Sequence, residues 1–172
     1  MLTTIANQLV KFPLKKRQPD LNKAQTTAAV LVILHGEDSD TQAVLTQRAF
    51  HLKSHAGEVA FPGGMWDQGD ENLLHTALRE ANEEIGLNPR SVKPVATLPS
   101  ASPKRREVNV TPFVAIGINN LELTADASET AAIFNAPLKI FMDLDRYEYF
   151  EIKSETADGD GVIRFPYLTY NN

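Results

Sequence analysis

Three carboxylates, Glu80, Glu83 and Glu84, stand at relative positions 0, 3 and 4 of one short stretch. At about 100° per residue a helix brings all three within roughly a third of its circumference. Like charges at that spacing weaken a helix by about 0.3 kcal/mol per pair, so the arrangement makes most chemical sense if a cation neutralises it. Hard oxygen ligands suit Mg²⁺ or Mn²⁺, which are held by few carboxylates together with waters and substrate phosphates. An acidic cluster on a helix is more often a solvated face. Three neighbouring features weigh against that here. Gly63 and Gly64 precede the helix, where bare backbone approaches a ligand closely. Arg79 stands beside Glu80 and can orient it, and Glu80 and Glu84 border the apolar stripe instead of facing away from it.

The element that must carry these groups is written in the same stretch. Leu74, Ala77, Leu78, Ala81 and Ile85 draw a single helical stripe. Asp70 reads as the N-cap, Glu71 adds negative charge at the positive helix start, and Gly86 is a natural stop.

With these residues in view, the stretch from Gly63 to Leu87 resembles the Nudix box, G-x5-E-x7-R-E-U-x-E-E-x-G-U with U aliphatic. The second half, Arg79 to Leu87, fits position for position. The first half is one residue longer between its glycine and Arg79, which leaves the acidic partner of Arg79 open between Asp70 and Glu71.

The segment immediately upstream, from Val44 to Gly64, is similar to the additional signature of the coenzyme A pyrophosphatase branch, L-L-T-x-(T/R)-(S/A)-x3-R-x3-G-x3-F-P-G-G. Arg48, Ala49, Gly57 and Phe61-Pro62-Gly63-Gly64 fall at the signature spacing. Val44 replaces the first leucine, and Lys53 replaces the arginine. Lysine keeps the charge but loses the planar fork that grips phosphate bidentately.

The resemblance implies an α/β fold, an α/β/α sandwich on a mixed central sheet. It also implies an enzyme, a metal-dependent diphosphatase acting on a small nucleotide and, for this branch, cleaving coenzyme A to 3′,5′-ADP and 4′-phosphopantetheine. Glu80, Glu84 and Glu83, with the Gly64 carbonyl, are the implied metal ligands. Glu80, Glu83 or Glu129, which lies ahead of Pro137-Leu138, is the implied base, and Arg79 orients the helix carboxylates. A Nudix diphosphatase for ADP-ribose or dinucleotides is the nearest alternative, and a silent nucleotide-binding module the alternative of another class.

Taken in order, the chain opens with Leu2, Ile5, Leu9 and Phe12 at helical spacing, followed by a linker from Lys15 to Gln25. This divides residues 1–25 from a main domain over 26–172. Thr27 to His35 reads as a buried strand and Gln42 to Gln47 as its hairpin partner. The cluster Arg48, His51, Lys53 and His55 then leads into the glycine pair, where cations would complement phosphate oxygens. Beyond the helix come a strand at Pro94 to Leu98 and a loop with Lys104, Arg105 and Arg106, a candidate grip for a substrate phosphate. Asn109 to Ile118 follows as a strand that Pro112 assigns to an edge or a bulge. Ser128-Glu129 is cap-like, so that helix capping competes with a catalytic role for Glu129. Arg146 to Lys153 and Val162 to Tyr170 form a terminal hairpin about an Asp158–Gly161 turn. The C-terminal helix that the resemblance leads one to expect has no counterpart, so truncation, the N-terminal helix or a second subunit, as in a homodimer, would account for that face.

Composition bounds the rest. The 172 residues carry a formal net charge of −5, without a pervasive basic surface for nucleic acid. Absence of cysteine excludes disulfides, thiolate zinc sites and a cysteine nucleophile. No apolar run approaches the length of a membrane span or signal peptide, and a cytoplasmic protein without stable membrane association is expected.

Overall fold

The fold is that of a computed structural model, which describes residues 2–19, 26–37, 40–102, 108–118, 120–156 and 159–169. Its elements in chain order are α1 (Leu2–Leu9), β1 (Thr26–His35), β2 (Gln42–Arg48), β3 (Val59–Ala60), β4 (Gly63–Met65), α2 (Leu73–Ile85), β5 (Val92–Thr97), β6 (Val108–Gly117), β7 (Thr130–Pro137), α3 (Leu138–Met142), β8 (Glu148–Thr156) and β9 (Gly159–Tyr167).

The run of alternating Ala, Val, Leu and Ile in β1 suits a strand covered on both faces, and β1 lies at the centre of a seven-stranded sheet. It pairs in parallel with β6 from Thr26↔Val108 to Leu34↔Ile116. Its other edge is shared: Leu34 and His35 pair with β2, whereas Ala28, Ala29 and Val30 pair with Met65, Gly64 and Gly63 of β4. The remaining ladders are antiparallel, so the sheet is mixed.

Side-chain alternation along β1 divides the core in two. Ala29, Leu31 and Ile33 join Val44, Phe113 and Ala115 beneath α2, which contributes Leu73, Leu74, Ala77, Ala81 and Ile85. Leu34, with Ala43, Ala96 and Val114, faces the other way and meets Ile5 and Leu9 of α1 and Leu138 and Phe141 of α3. Helices thus lie on both faces, the sandwich that the sequence predicts, with α1 taking part in covering the second face. Among the described residues no helix is long and apolar enough to cross a membrane.

Several local expectations are corrected. The N-cap of α2 is Asn72, not Asp70: its extended backbone lets Oδ1 accept the His75 N–H. The segment after Ser128-Glu129 is strand β7, bonded along β2, so Ser128 and Glu129 cap no helix. Pro112 lies in an inner strand between β1 and β5; its carbonyl accepts the Leu98 N–H, and the register shift falls in β5 between Pro94 and Ala96. Lys15 to Arg17 is tied down instead of acting as a free linker, because Lys15 N–H donates to Thr97 Oγ1 and Arg17 Nη1 to Ser100 Oγ. Gly159, Asp160 and Gly161 belong to β9, which extends the terminal hairpin beyond the expected turn.

Candidate active site

The box helix is docked to the glycine pair through its carboxylates. Gly63 enters at φ 152°, a conformation open to glycine, and any Cβ there would strike the β1 backbone at Ala29 and Val30. A Cβ on Gly64 would overlap the Glu80 carboxylate, so glycine at 64 is what admits Glu80 beside the strand. Glu84, only 4% exposed, accepts the Gly63 N–H at 3.0 Å and stands 3.6 Å from Arg48 Nη1 at the end of β2.

Arg79 organises the outer side of the helix. Its Nε and Nη2 bind the two oxygens of Asp70 at 2.9 and 3.1 Å, its Nη1 donates to Glu83 at 2.7 Å, and its Nη2 also reaches Glu80 at 2.8 Å and the Met65 carbonyl at 3.0 Å. The choice left open by the longer box is therefore resolved as Asp70. Burial alone would push the Asp70 carboxyl up, but hydrogen bonds from Arg79 and from the Asp67 N–H outweigh it and hold the group down at about 2. A cleft of about 520 Å³ runs along this network, lined by Met65, Trp66, Asp70, Arg79, Glu80 and Glu83 among others.

Glu80 and Glu84 show the opposite tendency. Burial raises the Glu80 carboxyl, only partly countered by Arg79. Burial likewise pushes Glu84 up to about 7; the Gly63 N–H and Arg48 pull it down, and the charges of Glu80 and Glu129 push it further up. Glu129, exposed at the start of β7, is close enough to act electrostatically on both helix carboxylates. Its loop is fastened to the site: Ala49 N–H donates to the Glu129 carbonyl and Asp126 N–H to the Glu84 carbonyl.

Does this arrangement fit a divalent cation? Among the described residues no three carboxylate or imidazole side chains are already gathered as a metal cage. Arg79 and Arg48 occupy that electrostatic role, drawing Glu80 and Glu83 to one side and Glu84 to the other. The donor set nonetheless suits a hard ion: the buried Glu84 and the partly buried Glu80 against side-chain-free backbone at Gly64, with a third acid, Glu129, near enough to act on both. The residues fit the ion that the sequence implies.

The predicted site residues divide accordingly. Arg48, Gly64, Arg79, Glu80, Glu83, Glu84 and Glu129 converge. Lys53 is exposed on the β2–β3 loop, and His55 on the same loop is turned onto Glu58 at 2.5 Å; His51 bonds the Ser128 carbonyl. Lys104, Arg105 and Arg106 lie outside the described residues. Sequence reasoning gave Arg48 to substrate phosphate and did not see its contact with Glu84, nor the Gly63 amide donor; both depend on β4 folding back along β1, for which only the glycine pair gives a hint.

A mixed sheet with a glutamate-rich helix docked on a glycine pair is the arrangement expected from the resemblance to a class of phosphoanhydride hydrolases. The chain belongs to the Nudix family: the NUDIX domain pattern matches residues 25–155. It is 36% identical over 152 residues to the uncharacterized Nudix hydrolase NudL of Salmonella paratyphi B, and equally to that of Salmonella newport, spanning 87% of this chain and 77% of theirs. Solved structures with the same fold include an Ap4A hydrolase binary complex from C. elegans, with TM-score 0.56 and 20% identity over 69% of this chain and 85% of that one. The NUDIX domain of Shewanella oneidensis NrtR complexed with ADP ribose is another, with TM-score 0.53 and 22% identity over 72% and 81%. The protein is a Nudix hydrolase of pyrophosphate substrates, a family that acts with divalent metal ions.

Proposed function

We propose that this enzyme hydrolyses the diphosphate of coenzyme A or of its thioesters, releasing 3′,5′-ADP and 4′-phosphopantetheine or its acyl form. The observation that carries the reading is the junction at Glu84, where Arg48 of the upstream segment and Gly63 at its end meet the box helix on one carboxylate. The two motifs of the sequence resemblance are one piece of machinery.

A divalent ion, Mg²⁺ or Mn²⁺, held by Glu80 and Glu84 with Glu83 and the Gly64 carbonyl, would supply charge neutralisation at the diphosphate oxygens. Arg79 fixes the rotamers of Glu80 and Glu83 by way of Asp70 and does not touch phosphate. Arg48 contributes a guanidinium for a phosphate oxygen, and Lys53 adds a second cation on the loop that also carries His55. Glu129 takes the proton of the attacking water as its oxygen bonds phosphorus, while the P–O bond to the bridging oxygen breaks and the leaving phosphate keeps that electron pair. Exposure and proximity to both helix carboxylates favour Glu129 as this base over Glu80 or Glu83, which are committed to Arg79.

The test is product analysis with coenzyme A, ADP-ribose and a dinucleotide polyphosphate in parallel, each with Mg²⁺, Mn²⁺ or chelator. Metal-dependent release of 3′,5′-ADP from coenzyme A, in clear preference to cleavage of the others, is expected. Cleavage of only another substrate would overturn the coenzyme A assignment and leave the diphosphatase chemistry standing.

A further inference from the structure

The loop between β2 and β3 carries a group that the metal and diphosphate chemistry does not use. Phe50 is 70% exposed, two residues after Arg48 and next to Ala49, whose N–H is bonded to Glu129. Its ring lies over Gly57: a Cβ built there would come within 2.8 Å of Phe50 Cε1, and φ 73° at that position also favours glycine. Part of the ring therefore rests on bare backbone while most of it meets solvent. The loop beneath is closed by two backbone hydrogen bonds, Arg48 N–H to Glu58 O at 2.9 Å and Gly57 N–H to Arg48 O at 3.1 Å.

A single exposed aromatic is ordinary on a protein surface. This one is set apart by its neighbour. Among the described residues Arg48 Nε–H has no hydrogen-bond acceptor, and the side chain as a whole is 29% exposed, so part of an under-satisfied guanidinium is open to an anion. One fixed loop thus offers an unfilled donor and an open π-face, with Cα atoms separated by at most about 7 Å. A nucleotide presents the complementary pair, phosphate oxygen and planar base.

We propose that Phe50 is the stacking platform for the nucleobase of the substrate, seated by Gly57, with Arg48 on the adjoining phosphate. The inference deepens the coenzyme A reading and rests on it for the identity of the base as adenine. The other half of coenzyme A, a flexible amide chain, has no π-face to stack, and the exposed Lys53 on the same loop suits a phosphorylated ribose.

The experiment is calorimetric titration of wild type, Phe50→Ala and Phe50→Trp with 3′,5′-ADP and with 4′-phosphopantetheine. Phe50→Ala should weaken 3′,5′-ADP about tenfold, the scale found when stacking aromatics are truncated, and Phe50→Trp should bind within about twofold of wild type. Binding of 4′-phosphopantetheine should be the same in all three. Unchanged 3′,5′-ADP binding in Phe50→Ala, or a loss shared equally by 4′-phosphopantetheine, overturns the proposal. AMP against ribose 5-phosphate, which differ by the base alone, separates this from the reaction assignment. If wild type left coenzyme A intact but preferred AMP, with the preference lost in Phe50→Ala, stacking would stand without the coenzyme A reading; no preference for AMP would overturn stacking itself.

Discussion

Arg48 Nη1 and the Glu84 carboxylate stand 3.6 Å apart, joining the end of β2 to the last turn of α2 across the glycine strand between them. The contact is between a partly exposed guanidinium and a carboxylate that is almost wholly buried. Under the proposed function this sets the cation offered to phosphate directly beside the oxygen offered to the metal.

Replacing Glu84 by Gln keeps the shape and removes the charge. kcat for the best diphosphate substrate should fall by about two orders of magnitude or more, since several kcal/mol of charge stabilisation go with the ion's ligand. Far-UV circular dichroism should be unchanged. Retention of metal-dependent turnover in Glu84→Gln would remove Glu84 from the ligand set.

The two glycines should respond differently to alanine. In Gly64→Ala the new methyl meets the far end of the Glu80 side chain, which can swing aside, so activity should collapse while stability falls by only about 1–2 kcal/mol. In Gly63→Ala the methyl meets β1 backbone at a φ that alanine avoids, and stability should fall by more than that, about 3 kcal/mol. Urea unfolding measured beside activity separates the cases; equal losses for the two variants would contradict the geometry.

Asp70 gives a pH signature. Its carboxyl is held at about 2 in the folded protein against an ordinary 3.8. A depressed folded value contributes stability that is present above the ordinary value and lost as pH falls through about 2. The contribution is about 2 kcal/mol at neutral pH. Unfolding free energies of wild type and Asp70→Asn should therefore differ at pH 6 and converge towards pH 2, and parallel curves would refute the network around Arg79.

Glu129→Gln tests the base. kcat should drop about a hundredfold with KM and thermal midpoint little changed, because the side chain is exposed and only its backbone carbonyl ties the loop to Ala49. Unaltered kcat would return the role to Glu80 or Glu83.

Much of this site was legible in the residues themselves. The α2 stripe, the carboxylate edge and the glycine pair are local patterns, and Leu74, Ala77, Ala81 and Ile85 are buried as their spacing requires. What could not be read depends on distant partners. Asn72 takes the cap in place of Asp70 because Arg79, nine residues further along the chain but adjacent in space, claims the Asp70 carboxylate. Thr130 to Pro137 becomes a strand because β2 offers an open edge, and Pro112 is tolerated inside the sheet because its carbonyl, not its missing N–H, serves the Leu98 contact. Local propensity carries no information about any of these pairings.

The first amides of α2 lack partners within the helix, as at any helix start. Here Leu73 N–H donates to the Arg17 carbonyl at 3.0 Å and Leu74 N–H to the Lys16 carbonyl at 3.3 Å. The segment that leads out of α1 therefore acts as a clasp on the helix that bears the acids. Deuterium uptake at those two amides would report docking of the N-terminal arm. Shortening the chain before Arg17 would free the helix start to fray, so that an arm remote from the chemistry sets how rigidly the ligands are presented.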